Sequence, residues 1–116
     1  MEPLIPLAAA ALLSGADVSA ALTISLPGNV ERNVVQYDCE GLDAFNVDYV
    51  NAEPNFLALL PINGQRMVFV SVATGSGARY VAGQYEWVTK GSEAIFTDTM
   101  TADGQPVTCT EHSETP

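Results

Sequence analysis

In a chain this poor in cations, binding chemistry is easiest to locate by asking where the cations are. The 116 residues carry four Lys and Arg against fourteen Asp and Glu, a formal net charge of −10. Two of the four, Arg79 and Lys90, fall within "GSGARYVAGQYEWVTKG", Gly75 to Gly91. The same stretch holds Gly75, Gly77, Gly83 and Gly91 of the nine glycines, together with Tyr80, Tyr85 and the single tryptophan, Trp87. A serine hydroxyl at Ser76 and an ammonium at Lys90 suit carboxylates, the first by donating a hydrogen bond and the second by Coulomb attraction. Catalysis gets no comparable support. Ser76 sits in Gly75-Ser76-Gly77, which is not the G-x-S-x-G elbow of serine hydrolases. His112 is the only histidine and lies in a polar C-terminal stretch, where an exposed surface residue is expected. Carboxylates are so numerous that no acid–base couple stands out. Cys39, Cys109 and His112 are too few and too scattered for zinc. No catalytic residue, metal or cofactor is therefore predicted.

Turn chemistry indicates how the stretch is built. Ala82-Gly83-Gln84-Tyr85 fits a type II′ turn with Gly83 at its first central position. The hairpin then pairs Tyr80 with Trp87, Arg79 with Val88, Ala78 with Thr89 and Gly77 with Lys90. Partners on neighbouring strands hold their Cβ atoms about 5 Å apart, so the loops bearing Ser76 and Lys90 emerge side by side at the open end. Gly75, Gly77 and Gly91 free the backbone to take positive φ or approach another molecule. Geometry alone leaves open that Gly75–Gly77 is a plain turn and Lys90 an ordinary solvated charge.

The elements around this hairpin read as strands too. "NVVQYDC", "AFNVDYVN", "RMVFVSVA" and "QYEWVTK" alternate along their length, and "EAIFTDT" and "QPVTCTE" complete the set. "NFLALLP" is apolar on both faces, as a strand covered on both sides would be. Asn63-Gly64 is a strong hairpin signal and Asp103-Gly104 a second. No segment after residue 20 has sustained helical periodicity. The class is all-β, with seven or eight short antiparallel strands arranged as a barrel or a sandwich, both of which manage exposed edges.

The N-terminus reads as an export signal. Residues 1–20 contain an apolar run from Leu4 to Leu13, too short to span a bilayer, which takes about 20 residues. They end in the small-residue pattern Val18-Ser19-Ala20. Residues 21–116 then form a single domain. Leu13-Ser14-Gly15 opens like a lipoprotein cleavage box, but Ala16 stands where lipidation needs Cys, so no membrane anchor is expected. In an exported domain this small, Cys39 and Cys109 are read as one disulfide, contributing about 4 kcal/mol on the chain-entropy account. The acidity argues against nucleic acid and suits a basic partner.

Five stretches carry a family likeness. "YDC" at Tyr37–Cys39, "VDYVN" at Val47–Asn51, "FLALLPINGQ" at Phe56–Gln65, "SGARY" at Ser76–Tyr80 and "YEWVTKG" at Tyr85–Gly91 occur in that order. Together they resemble the MliC/PliC family of bacterial inhibitors of C-type lysozyme. The resemblance implies an eight-stranded antiparallel β-barrel with one disulfide, working in the periplasm or lipid-anchored there. It implies that Ser76 and Lys90 enter the lysozyme cleft and bond its catalytic carboxylates, with Tyr80 fixing the loop by packing and Arg79 at the rim or solvated. Many members have a double Trp where this chain has Trp87-Val88, a departure that bears on packing below the loop. Lacking the anchoring Cys, the chain resembles the periplasmic branch rather than the membrane-bound one. The alternative, from another class, is a small envelope barrel that holds an apolar ligand or serves as a structural module. A homodimer is compatible with the sequence, which places no interface for it.

Overall fold

The period-two segments fold as eight strands: β1 (Glu31–Cys39), β2 (Phe45–Ala52), β3 (Asn55–Ile62), β4 (Gln65–Val72), β5 (Ala78–Ala82), β6 (Tyr85–Lys90), β7 (Glu93–Asp98) and β8 (Val107–Glu111). The computed structural model describes residues 21, 23–26, 28–101 and 103–112, so the expected signal segment 1–20 lies outside the described residues. Every strand pairs antiparallel with the next, and β8 returns to β1, closing the sheet into a barrel. Of the two architectures compatible with the sequence, the barrel is the one adopted, and closure removes the unpaired edges that a sandwich keeps.

An eight-stranded barrel has an interior just wide enough for side chains to fill, and here they do. Tyr37, Val47, Ala58, Leu60, Phe69, Tyr80, Trp87, Ala94 and Cys109 are buried together. Trp87 is fully buried, and its indole needs a polar partner there. Trp87 Nε1 donates to the Tyr49 hydroxyl at 2.8 Å, and Tyr49 shares a 2.7 Å hydrogen bond with Tyr37. Burial pushes the Tyr37, Tyr49 and Tyr80 phenols upward, so all three stay neutral.

The disulfide joins Cys39 to Cys109 across the β1–β8 pair, where the two residues face one another in register. It therefore staples the seam between the first and last strands. Asn63 and Gly64 both take positive φ, 51° and 78°, as a type I′ turn between β3 and β4 requires.

Two expectations need correction. Asp103-Gly104 is not a two-residue hairpin: β7 and β8 are linked by residues 99–106, and Gly104 closes a local turn by donating to the Thr101 carbonyl at 2.9 Å. The dipeptide thus occupies the last two positions of a four-residue turn, where Gly is also favoured. Nor is β3 covered on both sides. Ala58 and Leu60 face the core while Leu57 and Leu59 stay half-buried on the outer wall. Their outer partners are also apolar: Val70 lies opposite Leu57 and Val68 opposite Leu59. The aliphatic run reflects lateral packing on the outer wall rather than a second layer.

Candidate functional site

The strand order sorts the connections by end. The β2–β3, β4–β5 and β6–β7 connections share one end of the barrel, and the remaining four share the other. Ser76 belongs to the β4–β5 connection, residues 73–77, and Lys90 closes β6, so both lie at the first end. The hairpin register holds from Ala82–Tyr85 through Val81–Glu86, Tyr80–Trp87 and Arg79–Val88 to Ala78–Thr89, where the ladder ends before the expected Gly77–Lys90 pair. Gly83 takes φ 56°, as its turn position demands.

Gly77 fixes how closely the two loops approach. Its φ is 69°, and a Cβ at this position would run into the Thr89 carbonyl oxygen and lie 3.5 Å from the Lys90 Cβ. Only glycine admits that approach, which places the β4–β5 loop against the end of β6. Ser76 is exposed, and its carbonyl accepts a long 3.4 Å contact from Thr74 Oγ1. Gly75 is exposed beside it without positive φ. Lys90 is exposed and paired in register with Glu93 across Gly91-Ser92, with Gly91 at φ 62°. That tight β6–β7 turn escaped the sequence reading although Gly-Ser is a recognised hairpin dipeptide. The result is a narrow prong with a hydroxyl-bearing loop on one side and an ammonium on the other.

Below the prong, Tyr80 is buried with its ring centroid 5.7 Å from that of Tyr49, tying the base of the loop to the core. Arg79 points to the outer wall and forms a 2.8 Å ion pair with Glu86. Val88, at the position of the altered Trp pair, stands on the same wall between Arg79 and Ile95. The substitution therefore changes the outer surface, and the core Trp87 keeps its place.

The other two cations are also engaged. Asp48 is only 2% exposed although it lies on the outer wall. Arg32 Nε donates to Asp48 Oδ1 at 2.9 Å, the Arg32 guanidinium also contacts Oδ2, and Arg66 Nη2 donates to Oδ2 at 3.0 Å. The Arg32 hydrogen bond, with Arg66 assisting, holds the Asp48 carboxyl below the usual carboxylate range. Sequence reading missed this cluster, because its members lie on three strands and no local spacing links them. Among the described residues, Lys90 is thus the one Lys or Arg without an ion-pair partner.

Known proteins carry this architecture. Residues 37–105 match the MliC family model, described as membrane-bound lysozyme-inhibitor of c-type lysozyme. A membrane-bound lysozyme inhibitor of C-type lysozyme from Cupriavidus necator is 42% identical over 69 residues, covering 60% of this chain and 55% of the relative. One of the same description from Pseudomonas aeruginosa is 43% identical over 76 residues, covering 63% and 60%. The matches thus span little more than half the length of these curated relatives. The crystal structure of Pseudomonas aeruginosa MliC in complex with hen egg white lysozyme is similar with a TM-score of 0.67 and 37% identity, covering 83% of this chain and 100% of that one. Taken with the eight-stranded barrel, the stapled seam and the glycine-built prong, the match over residues 37–105 establishes that this chain belongs to the MliC family.

Proposed function

We propose that the protein is an inhibitor of C-type lysozyme that acts by binding and not by catalysis, inserting Ser76 and Lys90 into the enzyme's active-site cleft. The observation that carries this reading is the pairing of an exposed hydroxyl loop, at a single barrel end, with the one Lys or Arg that has no ion-pair partner among the described residues. A glycosidase of this kind flanks the scissile bond with two carboxyl groups. An ammonium brought between them gains Coulomb energy in a partly desolvated cleft, and the Ser76 hydroxyl can donate to a carboxylate oxygen. Glycan is then excluded, and the inhibition is competitive and stoichiometric. The excess of carboxylates steers the protein onto a basic enzyme. The export signal read in residues 1–20, together with the absence of Cys from the Leu13-Ser14-Gly15-Ala16 box, supports a periplasmic, non-lipidated protein.

The apolar-ligand alternative has less in its favour. A pocket of about 290 Å³ opens at the end opposite the prong, between Leu42, Phe45, Leu60, Ile62 and Phe96. Asp43 is the only ionisable side chain along it, so it lacks the converging polar groups that fix a ligand's orientation. The deciding experiment titrates the mature protein against hen egg white lysozyme in a cell-wall turbidity assay. Full inhibition near one equivalent is expected, weakened by Ser76→Ala and by Lys90→Ala. No inhibition at stoichiometric excess would move the assignment to the ligand-binding barrel.

A further inference from the structure

The prong is not the last feature at its end of the barrel. On the side away from Lys90 lies a cleft of about 390 Å³, walled by Thr74 and Gly77 of the prong and by Ser71, Tyr80 and Phe56. Phe56 is a half-buried aromatic at the barrel mouth, where a ring has core contact on one side and open space on the other. Its far side walls a second concavity, a notch of about 330 Å³ shared with Asn29, Glu31, Asn51 and Glu53. Register explains the grouping: Glu31 lies opposite Asn51, and Asn51 opposite Phe56, so three neighbouring strands deliver them to one row. Glu31 and Glu53 are exposed and have no ion-pair partner among the described residues. The neighbouring cations are committed, Arg32 to Asp48 and Arg79, which lines the cleft, to Glu86.

We propose that this cleft and notch form a second contact with lysozyme, in which Phe56 packs on the enzyme's rim and Glu31 and Glu53 receive a cationic side chain from it. The inference rests on the inhibitor reading above and extends it from the prong to the surface beside it. The chemistry is that of guanidinium or ammonium recognition. Carboxylates take the charged head, the Asn29 and Asn51 amides offer further acceptors, and the aliphatic stem of the incoming side chain lies along the Phe56 ring. Charge favours this occupant over a second copy of the chain, since two acidic notches facing one another would repel. Position favours it as well. Phe56 shares its cleft with Thr74 and Gly77 of the prong, so the aromatic ridge lies beside the surface that a partner engaging the prong would meet. The surface then carries a central positive charge beside a negative flank, the complement of acidic catalytic groups set in a basic enzyme.

The test measures association rate, dissociation rate and inhibition of hen egg white lysozyme for the parent, Glu53→Lys, Phe56→Ala and Glu40→Lys at low and moderate salt. Glu40 is an exposed carboxylate at the opposite end, and its replacement makes the same charge change away from the contact. Glu53→Lys is expected to weaken inhibition about tenfold, chiefly through association, with the gap narrowing as salt rises. Phe56→Ala is expected to speed dissociation about tenfold, and Glu40→Lys to stay within about twofold to threefold of the parent. The exposed Glu53 keeps the test decisive even if Phe56→Ala loosens the barrel. A folded Glu53→Lys that tracks Glu40→Lys at every salt concentration would overturn the second contact while leaving the prong intact. Failure of the parent itself to inhibit would instead remove the inhibitor reading, and the second contact with it.

Discussion

Two regions of the outer surface use positive charge in opposite ways. On the β1–β4 wall, Arg32 and Arg66 converge on Asp48, which they cover so fully that it is 2% exposed. At the prong, Lys90 stands exposed beside Ser76 with no ion-pair partner among the described residues. The first arrangement satisfies a carboxylate that would otherwise be buried at a large desolvation penalty. The second leaves a charge with no counter-charge among the described residues, free to meet another molecule. Mere presence of a cation therefore says little about function in this protein; what matters is whether its counter-charge is already supplied.

The sharpest way to break this contrast is to remove each charge and ask which property falls. Lys90→Ala is expected to weaken lysozyme inhibition by about 2 kcal/mol or more, roughly thirtyfold, with an unchanged melting temperature. A retained affinity would mean that the unpaired ammonium is not the anchor. Asp48→Ala should do the reverse. It leaves two guanidiniums converging on nothing and is expected to lower unfolding stability by about 1–3 kcal/mol, with inhibition by the folded fraction intact.

Acid should reveal the same division. The folded Asp48 carboxyl titrates below its unfolded value of about 4. Its contribution is therefore complete above pH about 4 and is lost as the pH falls through the lower folded value. Denaturant melts of the parent should show a stability decline below pH 4 that is shallower in Asp48→Asn. The smallest effect belongs to Arg79→Ala. Its pair with Glu86 is partly solvated, and loss of stability should stay under about 1 kcal/mol, with inhibition changed a fewfold at most. A large loss of inhibition would promote Arg79 from outer-wall residue to partner contact.

The legibility of this molecule followed the range of the interactions involved. Gly83 and the Asn63-Gly64 pair announce their turns locally, and the register of β5 with β6 follows from counting outward from one of them. The family likeness then supplied strand number and closure, which alternation alone left between barrel and sandwich. What stayed hidden is tertiary. Asp48 alternates outward and so reads as solvent-exposed, yet Arg32 and Arg66 arrive from β1 and β4 to bury it. Phe56 reads as one more apolar strand residue, and only closure of the barrel sets its ring at the mouth between two concavities. Asp103-Gly104 misled because the same dipeptide serves two kinds of turn, and the length of the connection decided between them.

The staple across the β1–β8 seam has a consequence for how the barrel withstands proteolysis. Cys39 and Cys109 enclose nearly all of the barrel, including both sides of the prong. A protease that cuts once at any exposed turn between them produces two fragments that remain covalently joined and are still held by the intact hydrogen-bonded ladders on either side. A single cleavage at a distal turn, such as the one at Asn63-Gly64, therefore need not release the prong from its scaffold. Tolerance of a nicked backbone is a form of durability separate from thermodynamic stability.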